Sequence, residues 1–441
     1  MSKQIEYIET GLKWLGKIPS NYTHLPLKRL VSTKITDGPH ETPTFIEDGI
    51  PFVSAEAVKD GSINFDFVRG YISKELDESY SLKCKPKRDD IFIVKSGSTT
   101  GKVAIVETDI DFNIWSPLAL VRVNDKVTPR FLFHSLSSLY FKEQVEIFWS
   151  FGTQPNIGMN VIENLRVILP PIQTQHIIAA YLDQKIVEID NLISKKQKLI
   201  DCLKEEKTAL VYKAVIRGLN DNAETKFSGD KWLGDVPSHW EIKKIKYVSK
   251  VQGRVGFKGY SKQDIVTARE GALTIGAKHI QDNKISLTSP EYISWEKYYE
   301  SPEIFVEKGQ ILVVQRGSLG KVAIVEDDLG EATINPSMVI LKSLLINPKY
   351  LFYLLSSNYF TTFIQLVNAS TAVPMISQEQ LENLVIPKPS DEEMVNIVKY
   401  IEEKVNIIHN TIFHIEQEIE LIKEYRTSLI NEVVTGKITL N

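Results

Sequence analysis

Cysteine is scarce. The 441-residue chain has two, Cys84 and Cys202, which excludes a disulfide framework and a cysteine-rich zinc site. Long apolar runs are missing as well. None approaches the roughly eighteen residues that a membrane helix needs. The stretch at residues 1–10 lacks the apolar core of a signal peptide. Strong net charge is also absent: 52 Lys and Arg against 56 Asp and Glu leave −4. General polyanion binding draws its affinity from cations on phosphates, so this balance argues against it. Local patches remain, KCKPKR at 83–88 and KKIKYVSKVQGR at 243–254. The expected setting is the cytoplasm, with no membrane contact.

Catalytic motifs fail one by one. GSTTGKV at 97–103 has too few residues between its glycines for a phosphate loop, and Val103 stands where a hydroxyl residue is needed. Its later copy, GSLGKV, is shorter still, so a Gly-rich turn between two strands is the better reading. NPSM at 335–338 is close to a methyltransferase motif but lacks its second proline and its aromatic. The histidines show no metal-ligand spacing. A nuclease-like set of Asp89, Asp90 and Lys95 is matched in the later copy by Lys308, Gly309 and Val314, which cannot do that chemistry. No catalytic and no metal residues are assigned, and the chain reads as a binding or scaffold protein.

What is present is a duplication. KWLGKIPSNY at 13–22 returns as KWLGDVPSHW at 231–240, identical at six of ten positions. GKVAIVE occurs at 101–107 and again at 320–326, and PRFLFHSLSSLYF at 129–141 matches PKYLFYLLSSNYF at 348–360. The offset stays near 218–219 throughout, far too long for a solenoid, so each copy is a domain with an appendage. The first part of each copy is β-rich: IFIVKSG, KVAIVE and LALVRV read as short strands between turns. After LPPIQTQ at 169–175 and PKPSDEE at 387–393 the pattern becomes helical.

In the second copy Val398, Ile401, Val405, Ile408, Ile412, Ile415, Ile419 and Ile422 alternate steps of three and four, and Leu429 and Val433 extend the series. This is a coiled-coil seam. About 43 helical residues span roughly 65 Å. The first copy has a looser stripe through Ile178, Leu182, Ile186, Ile189, Ile193, Ile200, Leu203 and Leu210. Gly218 and Gly436 are the expected helix stops. The stripes are expected to cover each other in an antiparallel pair; the alternative is that each packs on its own domain. Trp14 and Trp232, with Leu15 and Leu233, are expected to anchor each domain to its core or to a helix end.

A duplicated β-rich domain, each copy trailed by a long helix, resembles the specificity (S) subunit of type I restriction–modification systems. The KWLGxxPS openings, the Gly-Ser…Gly-Lys loops, the DGPHETP segment at 37–43 and the two helix starts carry the likeness. The family usually writes that helix start Pro-Pro-x-x-Glu-Gln, and both copies depart from it mildly. The resemblance spans essentially the whole chain. It implies an α+β fold with two β-rich target recognition domains, related by pseudo-two-fold symmetry and separated by two long helices in an antiparallel coiled coil. The corresponding boundaries are 1–170, 171–218, 219–388 and 389–441. It implies that the chain reads a bipartite, asymmetric double-stranded DNA target, with the helices setting the gap and docking two methyltransferase subunits, and with restriction subunits joining them. It also implies no cofactor in this chain, with S-adenosylmethionine, ATP and Mg on partner subunits. The rival readings are a coiled-coil interaction scaffold that never touches DNA and an enzyme subunit with its own site.

Base readout uses Arg or Lys on guanine and Asn or Gln on adenine, with Ser and Thr as adaptable partners. Phosphates take Lys, Arg and backbone amides of Gly-rich turns. The candidates lie where the two copies disagree and in the Gly-rich turns. In the first domain they are His40, Thr42, Lys95, Ser96, Ser98, Thr99 and Lys102, with Gln154 and Asn156 as weaker candidates. In the second they are Arg254, Lys258, Tyr260, Gln315, Arg316, Ser318 and Lys321.

Overall fold

The computed structural model describes residues 6–12, 14–151, 155–254, 259–368 and 374–440. They form two compact units, one of residues 1–196 with 416–441 and one of residues 197–415. No helix among the described residues is long and apolar enough to cross a membrane.

The first unit centres on an antiparallel sheet in the order Val103–Ile105, Ile91–Val94, Leu118–Val121, Thr36–Asp37. Ile91–Val94 is apolar at every position because both faces of this sheet are covered. Successive side chains point to opposite faces. Ile91 and Ile93 join a core with Phe131 and Leu132 of the helix Pro129–Leu136. Phe92 and Val94 meet Val53, Phe112 and Ile114 on the other side. Full burial of each such side chain contributes about 1.5–3 kcal/mol. The second sheet sets Asn113–Ile114 parallel to Ile50–Val53, which pairs with Gly70–Ile72. A third pairing joins Arg166–Leu169 to Thr23–Pro26.

The second unit repeats the plan. Its sheet runs Val322–Ile324, Ile311–Val314, Met338–Lys342, Lys250–Gly253, and Ala332–Ile334 lies parallel to Gly271–Ile275. Ile311 and Val313 again face a helix-side core, Leu312 and Val314 the opposite one. Val385–Lys388 pairs with Glu241–Lys244 as in the first unit.

The long helices are Ile172–Arg217 and Asp391–Val434. Within the first unit Lys196 pairs with Glu418 and Asp190 with Arg426, so rising numbers on one helix meet falling numbers on the other. The segments are antiparallel. Ile178, Leu182 and Ile189 share one core with Leu429, Val433 and the domain's own Phe131. In the second unit Val211 and Val215 share a core with Ile397, Ile401 and that domain's Tyr350. The stripes are therefore covered by the partner helix and by the β-rich domain together, so the two packing arrangements weighed from the sequence coexist. Every expected seam position of the second helix is buried or half-buried, while the off-seam Ile407, Phe413 and Leu421 stay exposed.

The repeated decapeptides have a structural role. Gly218 and Gly436 end the helices in the left-handed region, with φ of 75° and 74°. A Cβ on Gly436 would lie 2.5 Å from Pro19 and 2.9 Å from Tyr22; one on Gly218 would lie 3.0 Å from Trp240. The Pro-Ser-x-aromatic end of each opening thus closes over a helix end. Leu15 and Leu233 are buried and Trp14 packs half-buried against the first core, whereas Trp232 is 47% exposed, so in the second unit Leu233 and Trp240 are the anchors in its place. Gly11, Gly16, Gly229 and Gly234 give each opening its sharp turn.

Each domain is also stapled to a long helix by polar contacts. Arg130 binds Asp183 through Nε and Nη2 at 3.1 and 2.7 Å, and His134 Nε2 lies 2.7 Å from the same carboxylate. In the second unit Lys349 pairs with Glu402, and Tyr353 stands where His134 does. Burial pushes the His134 imidazole down, keeping it neutral, with Nε2–H donating to Asp183. Burial raises the Asp183 carboxyl, but the bonds from His134 and Arg130 outweigh this and hold it at about 2.

Two outcomes are expected. Gly436→Ala adds left-handed strain to a clash with Pro19, so it should destabilise the first unit by about 2–4 kcal/mol. Gly218→Ala should cost less, because its nearest contact is longer. Thermal unfolding midpoints test the order, and equal midpoints for wild type and Gly436→Ala would contradict it. The second outcome concerns acid. A His held neutral in the fold binds fewer protons than in the unfolded chain, so stability falls as pH drops below about 6.5. The Asp183 contribution is present above the ordinary carboxylate value and is lost as pH falls toward about 2. Urea midpoints should therefore fall from pH 7 to 5, and fall less in His134→Gln; identical slopes would show that His134 is not held neutral.

Candidate nucleic-acid interface

The segment at 37–43 begins where strand Thr36–Asp37 leaves the central sheet. Asp37 is 6% exposed. It accepts from Lys83 at 2.6 Å and from Lys95, and His40 Nε2 lies at 3.1 Å. Burial raises its carboxyl, yet Lys83 and Lys95 together pull it below the ordinary range. The backbone of the segment is tied down as well. Lys83 also donates to Gly38 O at 3.1 Å, Ser116 N to Pro39 O at 3.2 Å and Trp115 Nε1 to Glu41 O at 3.1 Å. Tyr80 donates to the Glu41 carboxylate at 3.1 Å. Gly38 is required by close approach, since a Cβ there would sit 1.9 Å from Ile114 O. His40, Glu41 and Thr42 remain exposed on this rigid support.

The Gly-rich segment is a hairpin turn between Ile91–Val94 and Val103–Ile105, as the spacing predicts. Gly97 and Gly101 have φ of 101° and 87°. Val94 N donates to Lys102 O, Gly101 N to Val94 O, and Thr100 Oγ1 to Gly97 O and Pro155 O. Ser96 forms a β-bridge with Asn156, bringing a main and a weaker candidate together. His40 and Lys95 meet on one Asp37 oxygen. Ser98 and Lys102 are exposed and Thr99 half-buried, whereas Lys95 is 8% exposed and committed to Asp37. Gln154 lies outside the described residues.

In the second domain Lys258 lies outside the described residues. Arg254 is 6% exposed. Its guanidinium donates to Ile334 O, Lys297 O, Ser301 Oγ and Thr333 Oγ1 at 3.3–3.4 Å and faces the Tyr260 ring at 5.4 Å. Gln315, 8% exposed, and not the Val314 that a constant offset implies, stands where Lys95 stands in the first copy, because Val314 takes the place of Val94 in the sheet; it donates to Pro336 O and Met338 O. These two side chains brace the surface from beneath. Arg316 and Ser318 are exposed, and Tyr260 and Lys321 half-buried. Arg316 bridges Met375, the counterpart of the Ser96–Asn156 bridge.

The linear basic run at 83–88 is largely neutralised. Lys83 pairs with Asp37, Lys85 with Asp77 and Asp111, and Arg88 with Asp109. Sequence reading missed Asp37 and Lys83 as supports because Asp37 is paired with Lys83 and Lys95, which lie 46 and 58 residues away along the chain. The one available signal was an acid opening the segment where the copies diverge. Among the described residues no cluster of His, Cys, Asp and Glu could hold a metal.

The family model for the type I restriction modification DNA specificity domain matches residues 41–201 and 237–421. The specificity subunit of the type I restriction enzyme MjaVIII from Methanocaldococcus jannaschii is 28% identical over 403 residues, covering 89% of this chain and 87% of its own length. That of EcoBI from Escherichia coli is 22% identical, covering 89% and 81%. Among solved structures, a chain from a study of complex assembly and conformational transition in the type I R-M system matches with a TM-score of 0.71 at 15% identity, covering 96% of this chain and 99% of that one. The HsdS subunit from Thermoanaerobacter tengcongensis matches with 0.56 at 16% identity, covering 96% and 98%. With the domain model matched twice, once on each copy of the duplicated framework, the chain belongs to the family of type I restriction–modification DNA specificity subunits.

Proposed function

We propose that the chain reads a bipartite, asymmetric sequence in double-stranded DNA, one half-site per β-rich domain, for a type I restriction–modification complex. The observation that carries this is the division of labour within the duplication. The central sheets of the two units share strand order and register, yet the exposed segments differ: His40, Thr42 and Ser98 in one unit, Arg316 and Ser318 in the other. Two different reading surfaces on one framework select two different half-sites, as a two-fold dimer selects two equal ones. Lys102, Lys321 and the amides of the two glycine turns supply the phosphate contacts that set register.

The long helices act as the spacer between half-sites and as the docking surface for two methyltransferase subunits. The exposed Ile407, Phe413, Leu421 and Tyr425 of the second helix, and Val187, Leu192 and Leu199 of the first, support docking, because exposed large apolar side chains in such number mark a contact surface. Methylation then uses S-adenosylmethionine on those subunits, and restriction subunits bring ATP and Mg. This chain contributes recognition and no catalysis.

Replacing residues 1–170 with those of another family member should change one half of the methylated motif and leave the other intact. Methylation mapping of the host genome reads this directly, and a change in both halves would sink the two-reader model. Adding one heptad to both long helices should lengthen the unread gap between the halves; an unchanged gap would remove the spacer role.

A further inference from the structure

We propose that Arg69 is a base-reading residue of the first domain, an inference that rests on the DNA-reading function above. Arg69 lies in none of the segments singled out by the duplication. Its backbone N–H donates to Phe52 O at 2.9 Å, fixing its Cα beside the strand Gly70–Ile72. The guanidinium carbon sits 5.2 Å from the centre of the Trp115 ring. That ring is itself fixed, since its Nε1–H donates to Glu41 O, between the exposed His40 and Thr42. One guanidinium nitrogen, Nη1, reaches Glu56 at 3.3 Å. The side chain is 51% exposed.

Other cations of the first domain differ from it. Lys83, Lys85, Arg88 and Arg122 are each engaged twice or in a bidentate pair, Arg88 with Asp109 and Arg122 with Asp90. Arg69 alone among these keeps most of its fork open, stacked on an aromatic plate and steered by one carboxylate. A planar guanidinium held in this way presents two donors in fixed geometry, which matches the O6 and N7 acceptors of guanine in the major groove. Trp115 directly follows strand Asn113–Ile114; in the second domain the residue after the matching strand Ala332–Ile334 is Asn335, which accepts from Ser337 N and Oγ. The plate is thus peculiar to the first domain, at a position where the copies disagree. Glu56 is a positioning residue that acts through Arg69.

The test uses the complex co-expressed with its methyltransferase subunits. The wild-type motif is first mapped by methylation, and binding is then measured on duplexes altered one base pair at a time. Arg69→Lys keeps the charge but loses the fork and the flat stack. It should relax discrimination at one base pair of the first half-site by roughly tenfold to a hundredfold. Discrimination across the second half-site should be unchanged, which also reports an intact fold. Glu56→Gln should weaken discrimination at the same base pair, by less. If Arg69→Lys weakens every duplex equally, Arg69 contacts phosphate and the proposal fails. If discrimination is untouched at every position, it fails as well, while the DNA-reading function stands. A wild-type complex with no bipartite motif would overturn that function itself.

Discussion

A helix of 44 or 46 residues with one apolar stripe cannot stand alone in water. Its stripe has to be covered along its length, and the rest of the molecule is arranged around that requirement. In each unit a segment of one long helix meets an antiparallel segment of the other, and a β-rich domain closes over the remaining side of the pair. The polar staples of Arg130 and His134 on Asp183, and of Lys349 on Glu402, then fix rotation and height on the helix, which apolar contacts alone define loosely.

The central sheet passes this rigidity outward. Strands buried on both faces cannot shift register without driving a full row of side chains from one close-packed core into the other. The segments that leave them therefore start from fixed points. Asp37 ties the 37–43 segment to Lys83 and Lys95, and Gln315 ties the start of the Gly-rich turn of the second domain to Pro336 and Met338. Polar groups spent in this way hold the surface still and leave the exposed side chains free to vary.

What could be read in the sequence was what local pattern encodes. The duplication, the seam, the glycine helix stops and the hairpin nature of the Gly-Lys loops are all local, and the fold has them. The details of the site depend on contacts that cross the chain. Arg254 sits in a basic run and reads as a surface cation, yet the fold buries it against carbonyls some 80 residues away. The run at 83–88 reads as a patch until Asp37, Asp77, Asp109 and Asp111 arrive from other elements. Arg69 carries no local signal, because its plate, Trp115, and the partner of that plate, Glu41, come from separate segments.

The first unit is discontinuous: it needs residues 416–441 as well as 1–196, whereas the second is one unbroken stretch. Its closing contacts, Tyr7 to Gly436 O and Tyr140 N to Asn431, span 429 and 291 residues of chain. On the ribosome the second unit has all its parts before the first does. The earlier domain must wait, its helix stripe uncovered, until the final turns of the last helix emerge. The domain made first is thus the one finished last, and during that interval it is the part of the molecule most exposed to misassembly.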